Sequence, residues 1–306
     1  MSPTLRPALS RRLFLFSAAS AAGALALPLP SLAFVTAPAA VAFDGDGILV
    51  AATSLARSDD AGQSWTALAA PGAIVAMATH TERPGRVLAA LDQGIALSDD
   101  GGQTWQVRSD GLPGAKALAV AMAARAPDTF YAALEDDGLW MSEDAGRSWT
   151  LAMDRPWLDE AEHDALSLAS VDLESGMGGI WLYAGTEAGL TRVPDCFCRW
   201  QDVQTGDAMD ALVSQDAPPS EAPLPEGEAV LALVSAPSSP ARLYAALPSG
   251  VWSSKDGGVV WARVAQRSAT ALAVHPQDDT YLAAIIGGLL HLSRDGGTSW
   301  TAIAAA

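Results

Sequence analysis

Basic residues, cysteines and histidines are scarce in this chain, and each scarcity removes a class of function. Lys and Arg number 18 against 35 Asp and Glu, for a formal net charge of −17. A surface of that sign repels phosphate backbones and anionic lipid, so neither nucleic acid nor an anionic membrane is an expected partner. The two cysteines, Cys196 and Cys198, flank a single residue; zinc takes about four ligands, and no second pair exists to complete such a site. Of the four histidines only His163 stands among carboxylates, between Glu162 and Asp164, where a metal ligand and a solvated loop histidine are both open readings. Apart from one run of about 15 residues near the start, no apolar stretch approaches the roughly 20 that a spanning helix needs. Hydrophobic residues nevertheless make up 50% of the 306 positions, enough for a sizeable core.

The chain is organised by an eight-residue phrase. Ser98–Trp105 reads SDDGGQTW, and copies stand at Ser58–Trp65 (SDDAGQSW), Ser142–Trp149 (SEDAGRSW), Ser254–Trp261 (SKDGGVVW) and Ser293–Trp300 (SRDGGTSW). A sixth, decayed copy at Val193–Trp200 (VPDCFCRW) keeps Asp195 and Trp200 but has Phe197 where the others have Gly. The phrase reads as a turn between two strands. Its carboxylate is placed to accept N–H groups of its own turn, its glycine to take a positive φ, and its indole to be buried under neighbouring strands. Phe197 implies a different backbone for the sixth turn.

The phrase aspartates fall at 60, 100, 144, 195, 256 and 295, hence at intervals of 40, 44, 51, 61 and 39. A strand-rich period of about 40–50 is that of propeller blades. Each unit divides into strands A to D with the phrase between C and D. The expected fold is therefore all-β, a six-bladed β-propeller of four-stranded blades over residues 34–306, with insertions at 154–164 and 205–228. The second insertion, rich in proline and acid, reads as a flexible loop. Every unit ends on its own fourth strand, so closure must rest on packing between the first and sixth blades. Tyr131, Tyr183, Tyr244 and Tyr281 recur at one slot of the B strands, a packing position, and His80 and His275 recur at the ends of A strands. His291, on a C strand, reads as packed or edge-exposed.

The SxDxGxTW phrase resembles the Asp-box, or BNR, repeat of sialidase-like propellers, and the resemblance covers essentially all of 34–306. Sialidases, xyloglucan-cleaving glycosidases, sortilin-type receptors and photosystem II stability/assembly factor-like proteins share it. In size, and in lacking added domains, the chain is most similar to the last group, which implies a non-enzymatic binding or assembly factor without a cofactor. Asp60, Trp65, Asp100, Trp105, Asp144, Trp149, Asp195, Trp200, Asp256, Trp261, Asp295 and Trp300 are then structural. A carboxylate saturated by turn N–H groups has a lowered pKa and no lone pair for a substrate, and chemistry needs one site where the chain has six. A sialidase needs a tyrosine nucleophile with a carboxylate partner, and the four tyrosines occupy packing slots. A glycoside hydrolase using another carboxylate pair stays open as the alternative.

In such a ring the C–D turns and A–B loops share one face, while the B–C and D–A loops surround the channel mouth on the other. The second face collects Asp92, Glu135, Asp136, Asp137, Asp154, Asp159, Glu160, Glu162, Asp164 and Glu187. Trp157, in the first insertion, is either a binding anchor or a plug onto the propeller, and the LDEAEHDA that follows it reads as a short helix. Glu135, Asp136, Asp137, Trp157, Asp159, Glu160 and Glu162 form the expected docking patch, suited to a basic protein segment. Three states are open to Cys196 and Cys198: a small ring disulfide, a soft metal such as Cu(I), or two thiols.

Residues 1–33 read as an export signal. Ser10-Arg11-Arg12-Leu13-Phe14-Leu15 fits the twin-arginine pattern, an Ala/Leu-rich run follows, and Ser31-Leu32-Ala33 offers small residues for cleavage. Removing this segment takes away Arg6, Arg11 and Arg12 and leaves 15 basic against 35 acidic residues, about −20. The expected location is periplasmic or secreted. Replacing Arg11 and Arg12 by Lys is expected to hold the precursor in the cytoplasm, as fractionation will show; normal processing would point to ordinary secretion.

Overall fold

The computed structural model describes residues 39–51, 54–176, 178–204 and 222–303. Residues 1–33, read from the sequence as an export signal, and most of the 205–228 insertion lie outside the described residues. All regular structure in them is β, and no helix is long and apolar enough to cross a membrane.

Six four-stranded antiparallel sheets follow one another, each paired in plain chain order. The first holds β1 (Ala40–Asp44), β2 (Gly47–Ala51), β3 (Leu55–Ser58) and β4 (Thr66–Leu68). The second holds β5 (Ile74–Thr79), β6 (Val87–Leu91), β7 (Gly94–Ser98) and β8 (Gln106–Val107), and the third β9 (Ala117–Ala123), β10 (Ala126–Leu134), β11 (Gly138–Ser142) and β12 (Thr150–Met153). A small hairpin of β13 (Trp157–Leu158) and β14 (Ala161–Glu162) intervenes. The fourth sheet is β15 (Ala165–Glu174), β16 (Ile180–Thr186), β17 (Leu190–Pro194) and β18 (Gln201–Asp202). The fifth is β19 (Ala232–Ala236), β20 (Ser239–Leu247), β21 (Gly250–Ser254) and β22 (Trp261–Ala265), and the sixth β23 (Ala271–His275), β24 (Asp278–Ile286), β25 (Leu289–Ser293) and β26 (Thr301–Ala302). This is the six-bladed propeller.

Its strands are not amphipathic in the usual alternating way. Each blade is covered on both faces by its neighbours, so the middle strands read as continuous apolar runs: Val87–Leu91 (VLAAL) and Gly47–Ala51 (GILVA) are buried at every position. The outer strands, facing solvent at the rim, are short and exposed, as at Gln106–Val107. The innermost strands are alanine-rich, as in ALAVAMA of β9, because blades converge toward the axis and only small side chains fit there. Large side chains fill the widening space further out.

The core is six separate apolar layers, one between each pair of neighbouring blades. Leu88, Ile95 and Leu97 of blade two pack on Phe130, Leu134 and Trp149 of blade three; the other layers repeat this arrangement round the ring. In every layer the indole of the phrase joins its own blade to the preceding one. Trp105 caps the layer with blade one, Trp200 that with blade three, Trp261 that with blade four and Trp300 that with blade five. Trp149, Trp200 and Trp261 are buried, whereas Trp65, Trp105 and Trp300 are half-buried, less than the sequence implied.

The seam obeys the same rule. Val41, Phe43, Ile48 and Val50 of blade one pack on Ala273, Tyr281 and Ile285 of blade six, with Trp65 over the edge. No strand is shared between the two sheets. Phe43 lies 5.0 Å from Tyr281 and 5.3 Å from His275, and His275 Nε2 reaches Asp46 Oδ1 at 2.9 Å. The tyrosines expected at packing slots are buried, Tyr131 on β10, Tyr183 on β16, Tyr244 on β20 and Tyr281 on β24.

Trp149→Ala is expected to destabilise the protein by about 3–5 kcal/mol, the range for deleting a buried large aromatic. Urea unfolding followed by intrinsic fluorescence checks it.

Candidate functional site

The C–D turns, read from the sequence as structural, show a division of labour that the motif alone does not. In five copies the leading serine, not the aspartate, serves the buried part of the turn. Ser98 is 1% exposed; its Oγ accepts the N–H of Gly102 at 2.9 Å and that of Asp100 at 3.3 Å, and donates to Asp100 Oδ1 at 2.8 Å. The aspartate serves the outer part: Oδ1 accepts the Thr104 N–H at 2.8 Å and Oδ2 the Thr104 hydroxyl at 2.6 Å. Ser58, Ser142 and Ser293 head the same network with Asp60, Asp144 and Asp295. Asp256 has Val260 in the hydroxyl position and accepts only its N–H, at 2.9 Å, beside Ser254 and Val259. The clue was in the sequence, since a serine opens five copies and Val193 the sixth.

These bonds hold four carboxyls well below the usual range. Asp60, Asp100, Asp144 and Asp295 are lowered to about 2, chiefly by the hydroxyl bond from the Ser or Thr four residues on, then by that residue's N–H. Such groups anchor a turn and have no affinity for a proton near neutrality, which disqualifies them as general acids.

The decayed copy differs in a specific way. With Val193 in the serine position, the Asp195 carboxylate takes none of these bonds, and its N–H donates to Ile180 O at 3.0 Å. Asp195 is thus no Asp-box in its chemistry. Phe197 occupies the place of Gly102 (φ +90°) and itself holds φ +51°. The backbone does differ from that of the other turns, at one position: the left-handed residue survives at Phe197, while Cys196 before it lacks the left-handed φ of Gly101. The Phe197 ring packs edge-on to Tyr131 of blade three at 5.8 Å. Cys196 and Cys198 are joined as a disulfide.

On the rim between blades three and four, Arg155 of the 154–164 insertion meets Asp136 of the B–C loop of blade three. The segment after Trp157 is a hairpin, not a helix: Trp157 pairs with Glu162 and Leu158 with Ala161. Its two turn residues, Asp159 and Glu160, have φ of +48° and +63°, the mirror-image turn that suits the twist of a two-residue hairpin. Three carboxylates, Asp136, Glu162 and Asp164, converge on Arg155. Its guanidinium meets Asp136 and Glu162 at 3.1 Å and Asp164 at 3.5 Å, and Asp164 accepts the N–H of Asp136. Asp137 is occupied by the indole N–H of Trp140 at 3.0 Å. His163 lies between Glu187 Oε1 and Leu158 O, at 3.1 and 3.2 Å, tying the hairpin to blade four. Among the described residues Glu135, Asp159 and Glu160 have no ion-pair partner, and no group of three His, Cys, Asp or Glu is placed to hold a metal. Trp157 is 58% exposed.

The axial channel, of ≈ 580 Å³, is lined by the innermost strands of all six blades. Its charged lining residues are Glu82 and Asp172, at the A–B end, away from the acidic rim. At that end His80 and His275 are buried links between blades. Each accepts a backbone N–H at Nδ1, from Glu82 and Gln277, so that the proton sits on Nε2, which meets Ala123 O in one case and Asp46 in the other. His291 is buried, with Nδ1 against Leu289 O.

Six blades, five of them with this serine–aspartate turn, define a β-propeller. The family model described as the BNR/Asp-box repeat matches residues 96–107, the second of the intact turns with the strand ends around it. Among solved structures it is similar to a GH74 enzyme of Niastella koreensis (14% identity, TM-score 0.60) and the GH74 xyloglucanase from Xanthomonas campestris (19%, TM-score 0.52), over 87% and 86% of this chain. It spans only 45% of the length of each. It is also similar to YCF48 bound to D1 peptide, at 14% identity and TM-score 0.50, over 90% of this chain and 84% of that one. At these identities the likeness is one of fold. No curated protein matches the sequence.

Ser98→Ala is expected to cost about 1–3 kcal/mol by leaving the buried Gly102 N–H without an acceptor, and Asp100→Ala less, since water replaces its outer bonds. For the lowered carboxyls, folding stability is fully present above the ordinary value of 3.8 and is lost as pH falls toward about 2. Acid titration of Asp100→Asn, followed by circular dichroism, should therefore show a shallower loss over that window than the parent.

Proposed function

We propose that this chain is an exported, non-enzymatic propeller that binds a basic segment of another polypeptide on the rim between blades three and four, as an assembly or stability factor for it. The observation that carries the reading is Trp157, an indole 58% exposed on a hairpin whose turn residues are both left-handed. Non-glycine residues are costly in that conformation. Asp and Glu stand there in place of the Asn-Gly that the turn favours, and what they add is negative charge beside the indole. Tryptophan is among the residue types enriched at interface anchors, and opposite charge around it speeds association. YCF48, which shares the fold, is a propeller seen with a peptide bound; that is consistent with a polypeptide ligand here.

The hairpin is braced for the purpose. Arg155 and His163 fix both its flanks to neighbouring blades while leaving Glu135, Asp159 and Glu160 unpaired. A preformed loop loses little entropy on binding.

A fluorescently labelled Lys/Arg-rich peptide is the probe. It should bind more weakly as salt rises. Trp157→Ala should raise its dissociation rate while changing stability by no more than about 0.5 kcal/mol. Glu135→Gln, Asp159→Asn and Glu160→Gln together should slow association and flatten the salt response. Unchanged kinetics in both variants would move the docking face elsewhere. Turnover of fluorogenic glycosides that disappears on substituting a single rim carboxylate would replace the reading with a glycoside hydrolase.

A further inference from the structure

We propose that Cys196–Cys198 is a thiol–disulfide exchange site for an external thiol pair, built into the turn of blade four where the other blades carry an Asp-box. The bond joins residues two apart in the chain. The stabilisation a disulfide gives grows with the length of chain it encloses, and this one encloses a single residue, so it fastens almost nothing. Both cysteines are exposed, at the outer edge of the blade, which leaves the sulfurs open to attack. A bond with little to fasten and free access is placed for chemistry rather than for stability.

The residue inside the ring supports this. Phe197 holds φ +51°, a conformation that non-glycine residues adopt at a cost, and every intact turn has glycine in that place. The turn is also without the leading serine whose hydroxyl holds the other five. Closing the bond helps to keep Phe197 left-handed and its ring against Tyr131; opening it lets the backbone relax. The unfavourable backbone thus favours the dithiol.

The exchange is balanced as follows. An external thiolate attacks one sulfur, the S–S bond breaks, and its electron pair leaves on the other cysteine as a thiolate. A second external thiol then attacks the mixed disulfide and releases the second cysteine. Two external thiols have become a disulfide, and two electrons have passed to the protein. The same steps in reverse re-form the bond from an external disulfide.

The test uses the full chain, folded, in buffers of reduced and oxidised glutathione, with alkylation counted by mass spectrometry and near-ultraviolet circular dichroism recorded in parallel. Both sulfurs should open and close with the glutathione ratio while the tryptophan signal stays native. Cys196→Ser should leave Cys198 able to form a stable mixed disulfide with glutathione. Phe197→Gly, which removes the cost of the left-handed residue, should shift the equilibrium toward the disulfide by roughly tenfold. The proposal is overturned if the bond stays closed in millimolar reduced glutathione until urea unfolds the chain. It is equally overturned if the two thiols stay free in oxidised glutathione. An unchanged equilibrium in Phe197→Gly would remove the link between the backbone and the bond.

Discussion

Six sheets standing round one axis leave wedges between them, narrow at the channel and wide at the rim, and filling those wedges is the constraint on which the rest of the molecule depends. Alanine lines the narrow end and tryptophan closes the wide one. Because one indole belongs to each blade and reaches back to the blade before it, the ring is fastened by a single repeated contact. The Asp-box turn exists to present that indole. Ser98 holds the inside of the turn and Asp100 the outside, and Trp105 is delivered at a fixed distance from both. Its own indole N–H returns to Gly102 O at 3.0 Å, so the turn and its cargo are one unit.

What a repeat makes legible is whatever every copy must do. The blade number, the strand order, the tyrosine slot and the closure without a shared strand could all be read from spacing. Each follows from local sequence multiplied six times. The indole burial was read less well, because Trp65, Trp105 and Trp300 lie half in solvent where Trp149, Trp200 and Trp261 do not. The serine was overlooked for another reason. A hydroxyl is a weak signal beside a carboxylate, yet burial makes it the more consequential of the two.

What a single copy does alone was harder to read. LDEAEHDA has the composition of a helix, and only the pairing of Trp157 with Glu162 makes it a hairpin. The convergence of Asp136, Glu162 and Asp164 on Arg155 joins residues from two blades, and no spacing along the chain announces it. Departures from the repeat nevertheless mark where function is to be sought. The two interruptions that stand out, the inserted hairpin with its exposed indole and the altered turn of blade four, lie on opposite faces of the ring.

Each blade is one continuous stretch of chain, and the seam between β1 and β23 is joined through side chains alone. Like the other five junctions, the seam shares no ladder strand between blades. Opening the chain at any D–A connection, and joining the ends near Ala39 and Ile303, would leave every hydrogen-bonded ladder whole. The molecule is in this sense without a beginning: its covalent order is one of six equivalent ways to thread the same ring. Each ladder is complete within its own blade, so the last pair of blades to meet needs only to dock, with no strand left waiting for a distant partner.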